Sequence, residues 1–251
     1  MAPSIPQGVG EPRMRSANFD GRLMHIFCDF DGTITRCDTT DYVLSRLARP
    51  EWEEVEAEWT AGRITAATCM RRQVSMIQGS DAELNAVLDS VELDPGFLAF
   101  VAWCEAEDIP ITIVSDGVRQ FIDRVLARHG LQHLPVVANQ LAGGAGRRRL
   151  DQPWMREGCA AGSGVCKCAV AAQETPKGRT TMVFIGDGRS DFCVSGRADI
   201  LFAKSKLADY AASRGKLFVP FDTFHDVTVA LADLAKDRPV RAVRAVRAKA
   251  I

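Results

Sequence analysis

No apolar run in this 251-residue chain approaches the roughly 20 residues that a membrane-spanning helix needs. An excess of charge of one sign is also missing. The formal net charge is −1, so no global field draws the protein to nucleic acid or to an anionic membrane. Neither is expected as a partner. Segment 1–21 is rich in proline, glycine and polar residues and lacks the apolar core of an export signal. It reads as a disordered leader, and the protein as cytoplasmic. Without export, the eight cysteines default to free thiols. The four histidines, His25, His129, His133 and His225, have no paired spacing, and core or surface roles suffice for each.

What is present is a globular composition, 47% hydrophobic and 25% charged. A chain of this length can bury one large core, or a core with a smaller insertion. The most informative segment is Asp29-Phe30-Asp31-Gly32-Thr33, which follows the apolar run 23–28. An ionised carboxylate is expensive to bury alone. Two of them, two residues apart at the end of a buried strand, call for a cation, a shared proton or a chemical task. Gly32 lets the backbone turn sharply beside whatever is bound.

Further apolar, β-branched runs lie at 111–115, 136–138, 182–185, 200–202 and 217–219. They are short and nearly continuous, as in strands covered on both faces. Helical patterns at 118–129, 167–173 and 190–196 lie between them. This alternation predicts an α/β fold with a doubly wound, mainly parallel sheet. Ligands then sit beyond the carboxyl ends of the strands. From Thr39 to Ser90 no strand is evident. Trp52, Val55 and Trp59 form a helical stripe, a second helix spans 65–77, and Ser80 with Glu83 caps another. We read residues 38–94 as a small helical cap with the tryptophan stripe in its core, inserted in a core of residues 22–37 and 95–237. Residues 139–154 read as a hairpin turning at Gly143–Gly146, where Arg147, Arg148 and Arg149 suit either a phosphorylated substrate or a solvated turn. The basic segment 238–251 reads as a solvated tail.

Three more features fall at strand ends. Ser115-Asp116-Gly117 follows the run ending at Val114 and offers a hydroxyl and backbone N–H groups to phosphate oxygens. Gly186-Asp187-Gly188-Arg189-Ser190-Asp191 follows the run ending at Ile185, with Asp191 about one helical turn beyond Asp187. Lys167 opens a helix and supplies a positive charge. The set matches the needs of phosphoryl transfer. A hard cation with oxygen ligands, Mg²⁺, bridges Asp29, Asp187 and a backbone carbonyl. Asp29 is the nucleophile. Asp31 protonates the leaving oxygen and then activates water. Ser115 and Lys167 hold the phosphoryl oxygens.

These four motifs resemble those of the haloacid dehalogenase superfamily, in its phosphatase branch, and the resemblance covers roughly residues 23–234. It implies a Rossmann-like core, the metal's carbonyl ligand from Asp31, support of the metal site by Asp191, and a phosphate side made of Thr33, Ser115, Asp116, Gly117 and Lys167. The insertion is similar to the cap of the phosphoserine phosphatase-like group, which selects substrate. By that likeness Asp38, Arg72 and Gln73 are the candidate selecting residues, although Gln73 stands where that group carries a carboxylate-reading arginine. The segment Leu150-Asp151-Gln152-Pro153-Trp154, Cys159 and Cys166-Lys167 resembles the methionine-salvage phosphatases that act on 2-hydroxy-3-keto-5-methylthiopentenyl 1-phosphate. The expected function is therefore hydrolysis of a small phosphorylated metabolite, with a methionine-salvage-type enediol phosphate as the candidate. Phosphoserine or phosphocholine-type specificity, and a non-catalytic binding protein on the same fold, are the alternatives. Cys159, Cys166 and Cys168 are read as free thiols, with a structural metal as the lesser reading.

Overall fold

The computed structural model describes residues 18–19, 22–175, 180–236, 240 and 242–243. The apolar runs become strands: β1 Asn18–Phe19, β2 Arg22–Cys28, β3 Ile111–Val118, β4 Val136–Ala142, β5 Arg149–Asp151, β6 Thr180–Gly186, β7 Ile200–Ala203 and β8 Val219–Pro220. They join in one sheet of order β5-β4-β3-β2-β6-β7-β8, with β1 paired off this path to β2. Pairings from β4 through β8 are parallel, while β4–β5 and β1–β2 are antiparallel. The central strand β2 lies between β3 and β6, so connections leave it in opposite directions. That reversal is where an open α/β sheet makes a crevice.

Nine α-helices are assigned among the described residues: α1 Thr39–Leu47, α2 Trp52–Thr60, α3 Ala66–Val74, α4 Asp81–Leu88, α5 Phe97–Ala106, α6 Arg119–Ala127, α7 Lys167–Glu174, α8 Ser205–Ser213 and α9 Phe224–Leu234. Side chains of β2 alternate between two cores. Met24, Ile26 and Cys28 join the layer of α5, α6 and α9, and Phe27 joins the layer of α7 and α8. Burial on both faces explains why the strands read as continuous apolar runs rather than alternating ones. In the first layer, Phe224 packs against Phe97 and Phe100 with ring centroids 4.9 Å apart in each pair.

Helices α1 to α4 form the insertion, closed at its base by an isolated bridge between Thr35 and Leu93. Each start has a local cause. The side chains of Asp38 and Thr65 accept the N–H of Asp41 and Thr68, and Ser80 with Glu83 forms a capping box. Val43, Leu44, Val74, Ile77, Leu84 and Leu88 pack with Val118 and Phe121 of the sheet layer. Trp52 adjoins this core, but Trp59 does not; it lines a cavity instead.

Three further readings change. Residues 190–196 form two single 3₁₀ turns, Arg189–Asp191 and Val194–Gly196, rather than one α-helix. The Asp191 carboxylate takes the N–H groups of Asp187 and Gly188 and so closes a tight turn. Asn18–Phe19 and Val243, in segments expected to be unstructured, pair with Arg22–Leu23 and Phe218. The other residues of the leader, 1–17 and 20–21, and most of the tail lie outside the described residues. The β4–β5 hairpin turns as expected, with Gly143 at φ +75° where an added Cβ would strike the Arg147 carbonyl.

Its Arg148, however, is neither solvated nor at the crevice. The side chain is fully buried and donates to the carbonyls of Ile77 and Gly79 and to Asp81 Oδ1 at 2.6 Å. Arg148 therefore fastens the sheet's hairpin to the loop between α3 and α4. Replacing it with Met keeps the stem volume but strands two carbonyls. Hydrogen bonds from a charged donor contribute about 1.5–3 kcal/mol each, and Asp81 is largely exposed. Arg148→Met should lower stability by about 2–3 kcal/mol. The check is a fall in the urea midpoint together with faster amide exchange in the α3–α4 loop.

Candidate active site

Three strand ends and one helix start meet at the crevice. Asp29 follows β2, Ser115 to Gly117 lie in the last residues of β3, and Asp187 follows β6. Lys167 is the first residue of α7 and approaches from below the crevice. Its Nζ lies 2.7 Å from Asp29 Oδ1 and 2.7 Å from Asp191 Oδ1, with all three side chains essentially buried. Asp191 also accepts the N–H of Asp187 and Gly188 on Oδ2. Both of its oxygens are thus engaged in holding neighbours.

Ligand atoms of Asp29, Asp187 and Asp191 lie within 4.8 Å of one another, and no other group of three or more such residues is found among the described residues. Three carboxylates against one lysine leave a surplus of two negative charges. Burial, then Asp191, push the Asp29 carboxyl well above its usual range, against the pull of Lys167. Asp187 moves the same way, by burial and then Asp191, partly offset by a hydrogen bond from Thr33. Burial alone would lower the Lys167 ammonium, but Asp191 and Asp29 outweigh it and raise it. Burial is the larger cause for the two carboxyls, while the rise of Lys167 against its own burial marks the negative charge around it. An all-oxygen cluster with this surplus fits a hard divalent cation.

Asp31 sits in a different setting. Oδ1 accepts the Thr39 N–H at 2.8 Å and Oδ2 accepts Ser115 Oγ at 3.3 Å. Burial, then the charge of Asp38, push this carboxyl up to about 7. Glycine is required on two sides. At Gly117 an added Cβ would collide with Asp31 Oδ2, and at Gly32, with φ +71°, it would lie 2.8 Å from Asp187 Oδ2. Ser115 Oγ meanwhile accepts the Gly117 N–H at 2.9 Å, which shapes the turn.

These groups open onto a cavity of about 1220 Å³ between the sheet and the insertion. Asp29, Asp31, Asp38, Gln73, Ser115, Asp116, Gly117 and Asp187 line it. Some of the expected site residues are placed otherwise. Thr33, read with the phosphate, is fully buried and donates its hydroxyl to Asp187 Oδ1 at 2.8 Å. Asp116 turns its Oδ1 to the Val165 N–H at 2.9 Å, fixing the loop that leads into Lys167. Arg72 is not among the lining residues; it pairs with Glu58 at 2.6 Å on the outer face. Gln73 is buried, and its amide donates to Glu56 at 3.0 Å.

Sequence reasoning missed Thr40, Asp41, Glu56 and Trp59 on the insertion side, and Arg189, Phe192 and Tyr210 on the core side. Local signals exist for few of them: the helical stripe places Trp59 in the insertion's core, and a Glu in an acidic helix reads as solvated. The guanidinium of Arg189 lies 5.5 Å over the Trp59 ring, joining the two sides of the cavity mouth. All eight cysteines are free; Cys159 shares a hydrogen bond with Cys166, and Cys168 shares one with Cys193.

The haloacid dehalogenase-like hydrolase family matches residues 26–195. A 2-hydroxy-3-keto-5-methylthiopentenyl-1-phosphate phosphatase of Brevibacillus brevis is 30% identical over 207 residues, 80% of this chain and 92% of that protein. The protein of the same name from Geobacillus kaustophilus is 31% identical over 82% of this chain and 94% of its own. Among solved structures, a probable phosphoserine phosphatase from Vibrio cholerae gives a TM-score of 0.63 at 20% identity, covering 89% of this chain and 68% of that one. Phosphoserine phosphatase from T. onnurineus gives 0.61 at 15% identity, covering 92% and 100%. At these identities the structural likeness concerns the fold.

Proposed function

The chain belongs to the haloacid dehalogenase-like hydrolase family, and we propose from that premise that it is a Mg²⁺-dependent phosphoric monoester hydrolase working through an aspartyl-phosphate on Asp29. One observation carries the reading: a buried lysine 2.7 Å from each of two carboxylates, at a strand-end crevice where a third carboxylate completes the cluster. Mg²⁺ held by Asp29, Asp187 and the Asp31 carbonyl, with Asp191 in support, would offset repulsion between the nucleophile and the phosphate dianion.

The chain's own residues divide the work. An Asp29 oxygen attacks phosphorus, and the bond to the ester oxygen breaks. Asp31 gives its proton to that oxygen, then takes one from the water that attacks the phosphoaspartate. Lys167 holds Asp29 and a phosphoryl oxygen, while Ser115 Oγ and the backbone N–H groups of 115–117 take the others. Thr33 and Asp191 are positioning residues: the first orients Asp187, the second anchors Lys167 and the turn after β6. For the organic part, the names of the relatives favour 2-hydroxy-3-keto-5-methylthiopentenyl 1-phosphate, a diffusible metabolite that fits action in the cytoplasm. Phosphoserine is disfavoured, because Arg72 is paired on the outer face and Gln73 carries no charge for a carboxylate. A binding protein without catalysis has no need of an acid group and a nucleophile in such different settings.

Three outcomes are expected. Asp29→Asn should reduce turnover on the order of 10⁴-fold or more while the thermal midpoint stays near wild type; comparable turnover by the variant removes the mechanism. Mg²⁺ should raise the thermal midpoint of the wild type, by an amount equivalent to about 2.7 kcal/mol at one hundred times its dissociation constant. Asp187→Asn should lose most of that shift, and an equal shift in the variant would place the ion elsewhere. The third concerns pH. Because the Asp31 carboxyl is raised to about 7, its protonated form persists up to that pH and is lost above it. With an ester of poor leaving group at saturating Mg²⁺, kcat/KM should fall as pH rises through about 7. Asp38→Asn removes the second cause of the shift and should move that fall to lower pH.

A further inference from the structure

Four of the eight cysteines gather around the start of α7, and the chemistry of the crevice uses none of them. Cys166 and Cys168 flank Lys167 in sequence, Cys159 lies in the loop before it, and Cys193 follows Asp191 by two residues. They form two pairs of different kinds. Cys159 and Cys166 hydrogen bond within one loop. Cys168, on the first turn of α7, meets Cys193 of the segment after β6, and the Cys193 thiol donates to the Cys168 sulfur. Val170 and Ala171 of α7 pack with Val194 in one core, so packing holds these two elements side by side. Both members of the second pair are half-buried, and Cys193 also lines the cavity. By contrast, Cys28 and Cys69 are buried and direct their thiols to the carbonyls of Asp29 and Val55.

The surroundings suit a reactive sulfur at Cys168. The hydrogen bond from Cys193 holds its thiol below the ordinary range against burial, and Arg197 adds to the pull. Lys216, whose Nζ donates to Ser195 Oγ at 3.2 Å, acts on both sulfurs through space. A solvent-reachable thiol with a second sulfur in contact and cations beside it has the parts of a redox-active pair.

We propose that Cys168 and Cys193 are a reversible oxidation site for peroxides, and that the disulfide formed there switches off the crevice through Lys167. With hydrogen peroxide, the Cys168 sulfur attacks one oxygen and the O–O bond breaks. The departing hydroxide takes the proton that Cys168 released and leaves as water. Cys193 then attacks the sulfenic acid: the S–S bond forms, the S–O bond breaks, and the hydroxide leaves with the Cys193 proton as a second water. Two thiols lose two electrons and two protons, and the peroxide gains them.

The consequence for the crevice is geometric. A disulfide sets its sulfurs about 2.05 Å apart, closer than a hydrogen-bonded thiol pair. The first turn of α7 and the segment after Asp191 must therefore draw together. Lys167 immediately precedes Cys168, and its ammonium bridges Asp29 and Asp191 at 2.7 Å each. A misplacement of about 1 Å at such a group costs on the order of 10²-fold in rate. Because both sulfurs are half-exposed, a dithiol can reach and reopen the link.

The test treats the reduced full-length protein with hydrogen peroxide, alkylates the remaining thiols and maps linked peptides by mass spectrometry without reduction. A Cys168–Cys193 peptide is expected. Turnover of p-nitrophenyl phosphate should fall at least about tenfold, and dithiothreitol should restore it. Cys168→Ser should keep the turnover of the reduced protein and hold it through the same treatment. Cys159→Ser should still form the link and lose turnover with it. A peptide joining Cys159 to Cys166 in place of the expected one, unmodified thiols after treatment, or a link without loss of turnover overturns the proposal. So does a loss that dithiothreitol leaves in place. The mapping needs neither a variant nor a substrate. Absence of turnover in the reduced protein therefore counts against the phosphatase reading, and absence of the linked peptide counts against the thiol pair.

Discussion

The buried ammonium of Lys167 is the interaction on which the rest of the crevice depends. It touches Asp29 after β2 and Asp191 in the turn after β6, each at 2.7 Å. Taking these charges out of water is costly, and removing one partner of such a group leaves the others uncompensated. The arrangement persists because hydrogen bonds also engage several of the remaining carboxylate oxygens. Asp191 takes two backbone N–H groups, Asp29 Oδ1 takes the Phe30 N–H, and Asp187 takes Thr33. A parallel sheet with its reversal at β2 makes this possible, since it brings three strand ends and one helix start to a single point.

From that point follows the difference between two aspartates of one short motif. Asp29 has the lysine against it and shares the acid cluster. Asp31, two residues on, turns away from the cluster toward Thr39 and Ser115. Burial, then the charge of another carboxylate, Asp38, raises it. Pairs of titratable groups set apart by environment are how one site supports both nucleophilic and proton-transfer chemistry. Gly32 and Gly117 are the geometric conditions for this separation, because a side chain at either would push into Asp187 or Asp31.

The sheet was legible because its strands are apolar on both faces, so that six short runs separated by helical segments could be read as strands of a mainly parallel sheet. The residues at the strand ends were legible for the same reason: a carboxylate after a buried run has few structural explanations. What could not be read depends on distant partners. Thr33 stands beside the motif, but its acceptor is Asp187, 154 residues later. Arg72 and Gln73 are adjacent on α3, and a rotation of about 100° per residue sends one outward to Glu58 and the other inward to Glu56. Three consecutive arginines look alike in sequence, yet only Arg148 reaches the carbonyls of another element. The turn after β6 was expected to be helical because nothing local reveals that Asp191 will reach back to close it.

The insertion's side of the cavity and Asp29 belong to different layers, and hydrogen bonds join them. The contacts that fix it converge on α3. The Ala67 N–H donates to the Gly162 carbonyl at 2.9 Å, Gln152 donates to the Ala67 carbonyl at 3.1 Å, and Arg148 fastens the loop after the helix. Gly162 lies in the loop that continues to Lys167, which Asp116 also holds through Val165. Through Gln73 the same helix α3 sets Glu56. One path of covalent and hydrogen bonds therefore runs from Lys167 beside Asp29, through the loop and α3, to Glu56 across the cavity. Covalent geometry and hydrogen bonds along that path set where Glu56 stands relative to Asp29. By contrast, α2 meets the core at the mouth through the Arg189–Trp59 contact.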